Sequence, residues 1–122
     1  MSSGGGSSPT PNRICTGSIT TNQRLWLVSE KYSLTGANWQ KTPITQVQPG
    51  TTELFVANGE TPNGQVTYQT QDGTQFILVF TMNGSNTANI LGNGGAAPAY
   101  NYSKNYPTTG DTMTVSYTLS NA

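Results

Sequence analysis

The chain has 122 residues, with five basic and five acidic side chains, no histidine and one cysteine. Charged residues make up 8% and hydrophobic residues 33%, against the roughly 25% and 45–50% that are ordinary for a globular domain. This excludes the highly charged disordered class, a phosphate-tracking nucleic-acid surface or polybasic lipid patch, for which no Lys/Arg cluster exists, and a disulfide-stapled scaffold, because one thiol has no partner within the chain.

Residues 1–12, opening "MSSGGGSSPTP", read as a flexible Gly/Ser/Pro arm with nothing to pack. The arm has neither the charged nor the apolar region of a secretion signal. No apolar run in the chain reaches the ~18 residues of a membrane helix. Residues 13–122 read as one β domain. "RICTGSITT" and "RLWLVSE", separated by "TNQ", suit a hairpin. Cys15 is read either as a small strand residue or as an intermolecular link near the arm. Trp26, between Leu25 and Leu27, faces opposite to them, and belongs to the core or to an outer face.

"TTELFVAN" follows the Pro49-Gly50 turn. "GQVTYQT" alternates, Val66, Tyr68 and Thr70 against Gln65, Thr67 and Gln69. Asp72-Gly73 signals a two-residue type I′ hairpin turn, across which "QFILVFT" pairs back. Its unbroken apolar run from Phe76 to Phe80 predicts a strand buried on both faces or covered by a partner on its outer one. Asn83 to Gly110 reads as a long Gly/Asn-rich loop carrying Tyr100, Tyr102 and Tyr106. "TMTVSYTLS" is the clearest strand, with Met113, Val115, Tyr117 and Leu119 inward and Thr112, Thr114, Ser116 and Thr118 outward. Asn-Gly pairs beginning at Asn58, Asn63, Asn83 and Asn93 mark turns. No capped window of helical period survives so many Gly, Thr and Asn residues. The expected fold is all-β, a single antiparallel β-sandwich of short strands.

The chemistry is sparse. Without histidine the commonest general base and metal ligand are missing, and one Cys cannot build a zinc site. Glu30, Glu53, Glu60, Asp72 and Asp111 are scattered, with no motif pairing two of them. Asp72 is accounted for by its turn, and Asp111 by the approach to the last strand. No phosphate loop or cofactor motif occurs. The expectation is that the chain is not an enzyme and takes neither cofactor nor metal. Asn83-Gly-Ser85 and Asn101-Tyr-Ser103 fit the glycosylation pattern, which matters only in a secreted eukaryotic protein.

Aromatic surface remains. Phe55, Tyr68, Phe76, Phe80 and Tyr117 fall in inward strand phase. Trp39, Tyr100, Tyr102 and Tyr106 lie in connections and are the candidate membrane or ligand contacts. Aromatics with a polar edge suit a membrane interface or the apolar face of a sugar. The plainer reading is that Trp39 plugs an end of the sandwich and the tyrosines cover loop edges.

The segments Leu34-x-Gly36-x-x-Trp39-x-x-x-Pro43, Pro49-Gly50 before an apolar strand, "GQVTYQTQDGTQFILVF" and Gly84-Ser85-Asn86 together resemble the aegerolysin-like proteins. The resemblance is closest to the small component of bacterial binary insecticidal crystal toxins and its fungal relatives, and it covers about residues 14–120. It implies a membrane-binding β-sandwich that recognises lipid head groups, often sphingolipids, and recruits a larger partner protein to form a pore, acting outside the cell at target membranes. The matching landmarks are Trp39, Pro43, Tyr68, Gly84, Ser85 and Asn86, of which Trp39 is also a candidate contact. The chain departs from the family at "FTMNGSN", which lacks the acid and proline that usually precede Gly-Ser-Asn, and before Gly64, where a longer Gly-Thr-Glu-Gly turn is missing. Two other readings use the same features. One is a carbohydrate-binding lectin. The other is a self-assembling structural subunit, since zero net charge favours self-association.

Overall fold

The computed structural model describes residues 12–93 and 100–121; the arm over residues 1–11 lies outside them. The described residues form strands and no helix: β1 (Arg13–Thr21), β2 (Leu25–Thr35), β3 (Asn38–Lys41), β4 (Gln46–Val47), β5 (Thr52–Gly59), β6 (Asn63–Gln69), β7 (Gln75–Met82), β8 (Asn86–Asn93), β9 (Tyr100–Asn105) and β10 (Thr112–Asn121). Two five-stranded sheets result, ordered β3-β5-β1-β10-β9 and β4-β2-β6-β7-β8, and their inner faces share one core. This is the β-sandwich that the alternating segments imply.

Period-two alternation produces the core directly. Met113, Val115, Tyr117 and Leu119 are buried from β10, and Phe76, Leu78, Phe80 and Met82 from β7, while the Thr/Ser positions between the β10 residues face solvent. Ile77 and Val79 are half-buried on the outer face of β7, so this strand is neither buried on both faces nor fully open. Trp26 pairs in register with Gln46 and Gln69 and, opposite in phase to buried Leu25, stands half-buried on the same outer face. Tyr68 and Tyr117 are buried, and each donates its hydroxyl to a backbone carbonyl, Ile44 at 2.7 Å and Val79 at 2.8 Å. Those bonds offset the cost of burying a phenol oxygen.

Four expectations need correction. β1 and β2 do not form a hairpin. Thr21 Oγ1 accepts the Gln23 N–H at 2.9 Å and donates to the Gln23 carbonyl at 3.0 Å, and this local turn carries the chain into the other sheet. β1 pairs instead with β5 and, in parallel, with β10, from Ile14↔Thr112 to Thr21↔Leu119. The β6–β7 hairpin is present, but Gln69 pairs with Gln75, so its loop spans 70–74 and not two residues. Gly73 donates its N–H to the Thr70 carbonyl at 3.0 Å and takes φ +87°, a turn followed by one left-handed residue.

The stretch from Asn83 to Gly110 is not a long loop. It holds β8, which pairs with β7 from Met82↔Asn86 to Gln75↔Asn93, and β9, which pairs with β10. Asn is a poor strand former, and here pairing with a neighbour overrides propensity. Of the Asn-Gly pairs, Asn58-Gly59 and Asn63-Gly64 lie within strands, and Asn83-Gly84 makes the β7–β8 turn with Gly84 at φ +110°. Cys15 points into the core and is buried, so the folded domain offers no thiol for an intermolecular link.

Gly17 explains how the first sheet accommodates its largest ring. Gly17 faces inward on β1 opposite Phe55 of β5, and a Cβ built on it would overlap the Phe55 ring itself. Gly17→Ala is expected to lose about 1–3 kcal/mol through overpacking, read as a lower urea midpoint at unchanged m-value.

Candidate functional site

The candidate contacts fall on two opposite edges of the first sheet. Trp39 sits on edge strand β3, paired with Ala57, and points between the sheets. Its ring meets Phe55 at 5.8 Å and Phe80 at 6.2 Å, both edge-on. Buried Pro43 follows in the connection to β4. Trp39 is thus a half-buried wedge on the core. Strand β9 is the other edge, four strand spacings or about 19 Å away. Trp39 and the tyrosines therefore cannot close on one head group.

On β9, Tyr100 and Tyr102 share a side, because they pair with Asn121 and Leu119. Both rings rest on buried Phe76 of the opposite sheet, with centroids at 5.4 Å and 5.2 Å and planes at 79° and 63°. Tyr100 is half-buried, whereas Tyr102 leaves 39% of its surface in solvent. Lys104 follows two residues on, along the same side and exposed. Tyr106, just past β9, packs partly on the core and lies roughly 13 Å along the chain from Tyr102. Tyr100 and Tyr102 are brought together, and Tyr106 and Trp39 stand apart from them.

Sequence reasoning treated Asp72 as a turn residue and missed its second role. Its Oδ1 accepts the Thr70 hydroxyl and the Thr74 N–H, the latter at 3.0 Å, and its Oδ2 accepts the Tyr100 hydroxyl at 2.9 Å. The Thr70 hydroxyl, then Thr74 and Tyr100, hold the carboxyl well below the usual range. The residue is exposed. Among the described residues no Lys or Arg pairs with it: Arg13 pairs with Asp111 at 3.3 Å, and the Arg24 Nε donates to the Gln48 side chain at 3.1 Å. The spacing Thr70-x-Asp72-x-Thr74 was a readable signal for the two threonine bonds. The tyrosine came from a strand that the sequence hid.

The described residues contain no cluster of three or more His, Cys, Asp or Glu able to hold a metal ion, and no helix long and apolar enough to cross a membrane. What this edge can do is present fixed aromatic surface beside a fixed negative charge.

No known protein family matches the chain, and no characterised protein matches it by sequence. The fold, however, is shared with solved β-sandwich proteins. IP-1A from Alcaligenes faecalis superposes with a TM-score of 0.70 at 13% identity, covering 89% of this chain and 91% of that one. The lipid binding protein Nakanori gives 0.70 at 9% identity, covering 88% and 70%. The Xerocomus chrysenteron lectin XCL gives 0.61 at 7% identity, covering 88% and 99%. Likeness at such identities shows the fold.

Two outcomes follow from the site geometry. Trp39→Ala should cost about 3 kcal/mol, at the low end for removing a large core-packed ring, measured by chemical denaturation. Asp72 has a depressed carboxyl in the folded state. Its contribution to stability is therefore complete above the unfolded value near 4 and is lost as pH falls below that. Thermal melts of wild type and Asp72→Asn should accordingly differ most above about pH 4 and converge toward pH 2.

Proposed function

We propose that this chain is a membrane-lipid-binding module of the aegerolysin kind, touching sphingolipid head groups through its β9 edge. Trp39 is a second, separate contact at the β3 edge, and a larger partner protein recruited at the membrane supplies the pore. The observation that carries the reading is Tyr102, a partly exposed ring seated on Phe76 at a sheet edge. A phenol ring with its polar end toward water is at home among head groups, and one packed on the core loses little freedom on binding. Fold likeness to a lipid binding protein supports it. Several exposed contacts of this size, each contributing about 1–2 kcal/mol, sum to modest affinity, so self-association on the membrane would strengthen binding by avidity. No catalytic role forms part of this proposal.

The second reading, a lectin, is favoured by the same ring beside a carboxylate and by fold likeness to XCL. Flotation on vesicles with and without sphingolipid separates the two. Wild type should rise with sphingolipid vesicles, and Tyr102→Ala should reduce the bound fraction about fivefold or more, one aromatic contact being worth ~1 kcal/mol. A blue shift in tryptophan emission on binding, absent in Trp39→Phe, would locate the second contact. No flotation on any vesicle, with retention on a glycan array, would replace the membrane reading by the lectin one.

A further inference from the structure

We propose that the β7–β8 turn is a spontaneous modification site, at which Asn83 deamidates in the folded protein through attack by the backbone nitrogen of Gly84. The chemistry goes beyond the membrane reading and does not depend on it. In the first step the Gly84 nitrogen gives up its proton to solvent and bonds to Asn83 Cγ. The Cγ–Nδ2 bond breaks, the side-chain nitrogen leaves as ammonia, and a cyclic succinimide remains. Water then opens either ring carbonyl, giving aspartate or isoaspartate. The sum is amide plus water to carboxylic acid plus ammonia, with no oxidation or reduction.

In sequence the Asn-Gly pairs are alike, since glycine offers the attacking nitrogen with no side chain in the way. The fold separates them. Asn58-Gly59 lies inside β5, where Asn58 pairs with Ile14 on one side and Asn38 on the other, and Gly59 pairs with Arg13. The Asn58 amide is also tied, its Nδ2 donating to Gln40 Oε1 at 3.3 Å. Asn63-Gly64 lies in β6 between β2 and β7, with Gly64 paired to Leu34 and Phe80. Asn63 Oδ1 accepts the Thr81 hydroxyl at 3.2 Å. Around both glycines the space is filled. A Cβ would fall 2.5 Å from the Ala37 Cα at Gly59 and 2.6 Å from the Phe80 ring at Gly64. A ring closing at either place must first break ladder bonds, and its rate is cut by the rarity of that opening.

Asn83-Gly84 meets none of these restraints. Asn83, Gly84 and Ser85 are exposed, and nothing lies within 4 Å of a Cβ built on Gly84. The Asn83 side chain makes no hydrogen bond among the described residues, and its N–H reaches the Ser85 carbonyl only at 3.4 Å. The flanks are fixed instead. Met82 donates its N–H to the Pro62 carbonyl at 2.7 Å, and Asn86 donates its N–H to the Thr108 carbonyl at 3.0 Å. The turn can therefore swing its peptide groups while β7 and β8 stay paired. Gly84 takes φ +110°, a conformation that other residues rarely adopt, so the turn itself requires the least hindered nucleophile. Each event adds one negative charge to a chain whose formal net charge is zero. The isoaspartate product also lengthens the backbone between β7 and β8 by one carbon.

The test incubates the full chain in aqueous buffer at constant temperature, once native and once in guanidinium chloride. Acidic species are collected by ion exchange, and peptide mapping by mass spectrometry assigns the deamidated residue. In the native chain Asn83 is expected to react at least about tenfold faster than Asn58 or Asn63, whose reaction waits on the opening of a paired strand. In denaturant the three rates should converge, since the ladders that protect two of them are gone. Asn83→Gln should remove the Asn83-derived acidic species, because the longer side chain closes its ring far more slowly. Asn83→Asp should co-elute with the aspartate form, and thermal melts check that both variants are folded. The Asn93-Gly94 pair extends outside the described residues and is mapped separately. An Asn83 that stays intact in the native chain while reacting in denaturant overturns the proposal. So does native reaction at Asn58 or Asn63 at the rate of Asn83.

Discussion

The parallel pairing of β1 with β10 is the constraint on which the rest of the molecule hangs. These two strands lie next to each other in the first sheet, in register from Ile14↔Thr112 to Thr21↔Leu119. A parallel pair needs a long crossover, and here the crossover is almost the whole domain. β5 hangs on β1 and β3 on β5, which carries Trp39 outward to one edge. β9 hangs on β10, which carries Tyr100 and Tyr102 to the other. The separation of the two aromatic contacts is thus a consequence of strand order. Gly17 sits within this pair and leaves room for Phe55, whose ring then meets Phe80 at 5.6 Å and Tyr117 at 6.3 Å and sets the spacing on which Trp39 rests.

The tyrosines show one residue type put to two uses by depth alone. Tyr68 and Tyr117 are buried, their hydroxyls bound to backbone carbonyls and their ionisation pushed up, mainly by burial. Such groups stiffen the core and are closed to any ligand. Tyr100 donates to a carboxylate at the surface, and Tyr102 keeps part of its ring in water. Asn86 makes a similar point for the Gly84-Ser85-Asn86 landmark. Its side chain is buried and donates to the Pro107 and Gly110 carbonyls at 3.1 Å and 3.3 Å, joining the start of β8 to the connection before β10. In this chain that asparagine acts as a staple between the sheets.

Legibility in the sequence followed the strength of alternation. β6, β7 and β10 were readable because their buried residues are large and evenly spaced, so the inward phase of Tyr68, Phe76, Phe80 and Tyr117 needed no neighbour to interpret it. β8 and β9 were not readable, since "NTANILGN" and "YNYSKN" carry residues that disfavour strands when taken singly. Only the partner strands place them. The parallel β1–β10 pair was equally hidden, because a contact across nearly the whole chain leaves no local mark. For the site, the aromatic residues could be picked out by type. Their division between two edges, and the tie from Tyr100 to Asp72, depend on strand order and were beyond reach.

Cys15 gives the central pair one further property. It lies on β1, pairs with Met113 and Ala57, and has its thiol pushed up to about 12 by burial. A neutral, enclosed thiol reacts with alkylating reagents only when β1 leaves its place. The domain therefore carries its own opening reporter, one sulfur at the seam where the first and last strands meet. The rate at which that sulfur is trapped by a thiol reagent counts how often the seam parts, without a label having been introduced.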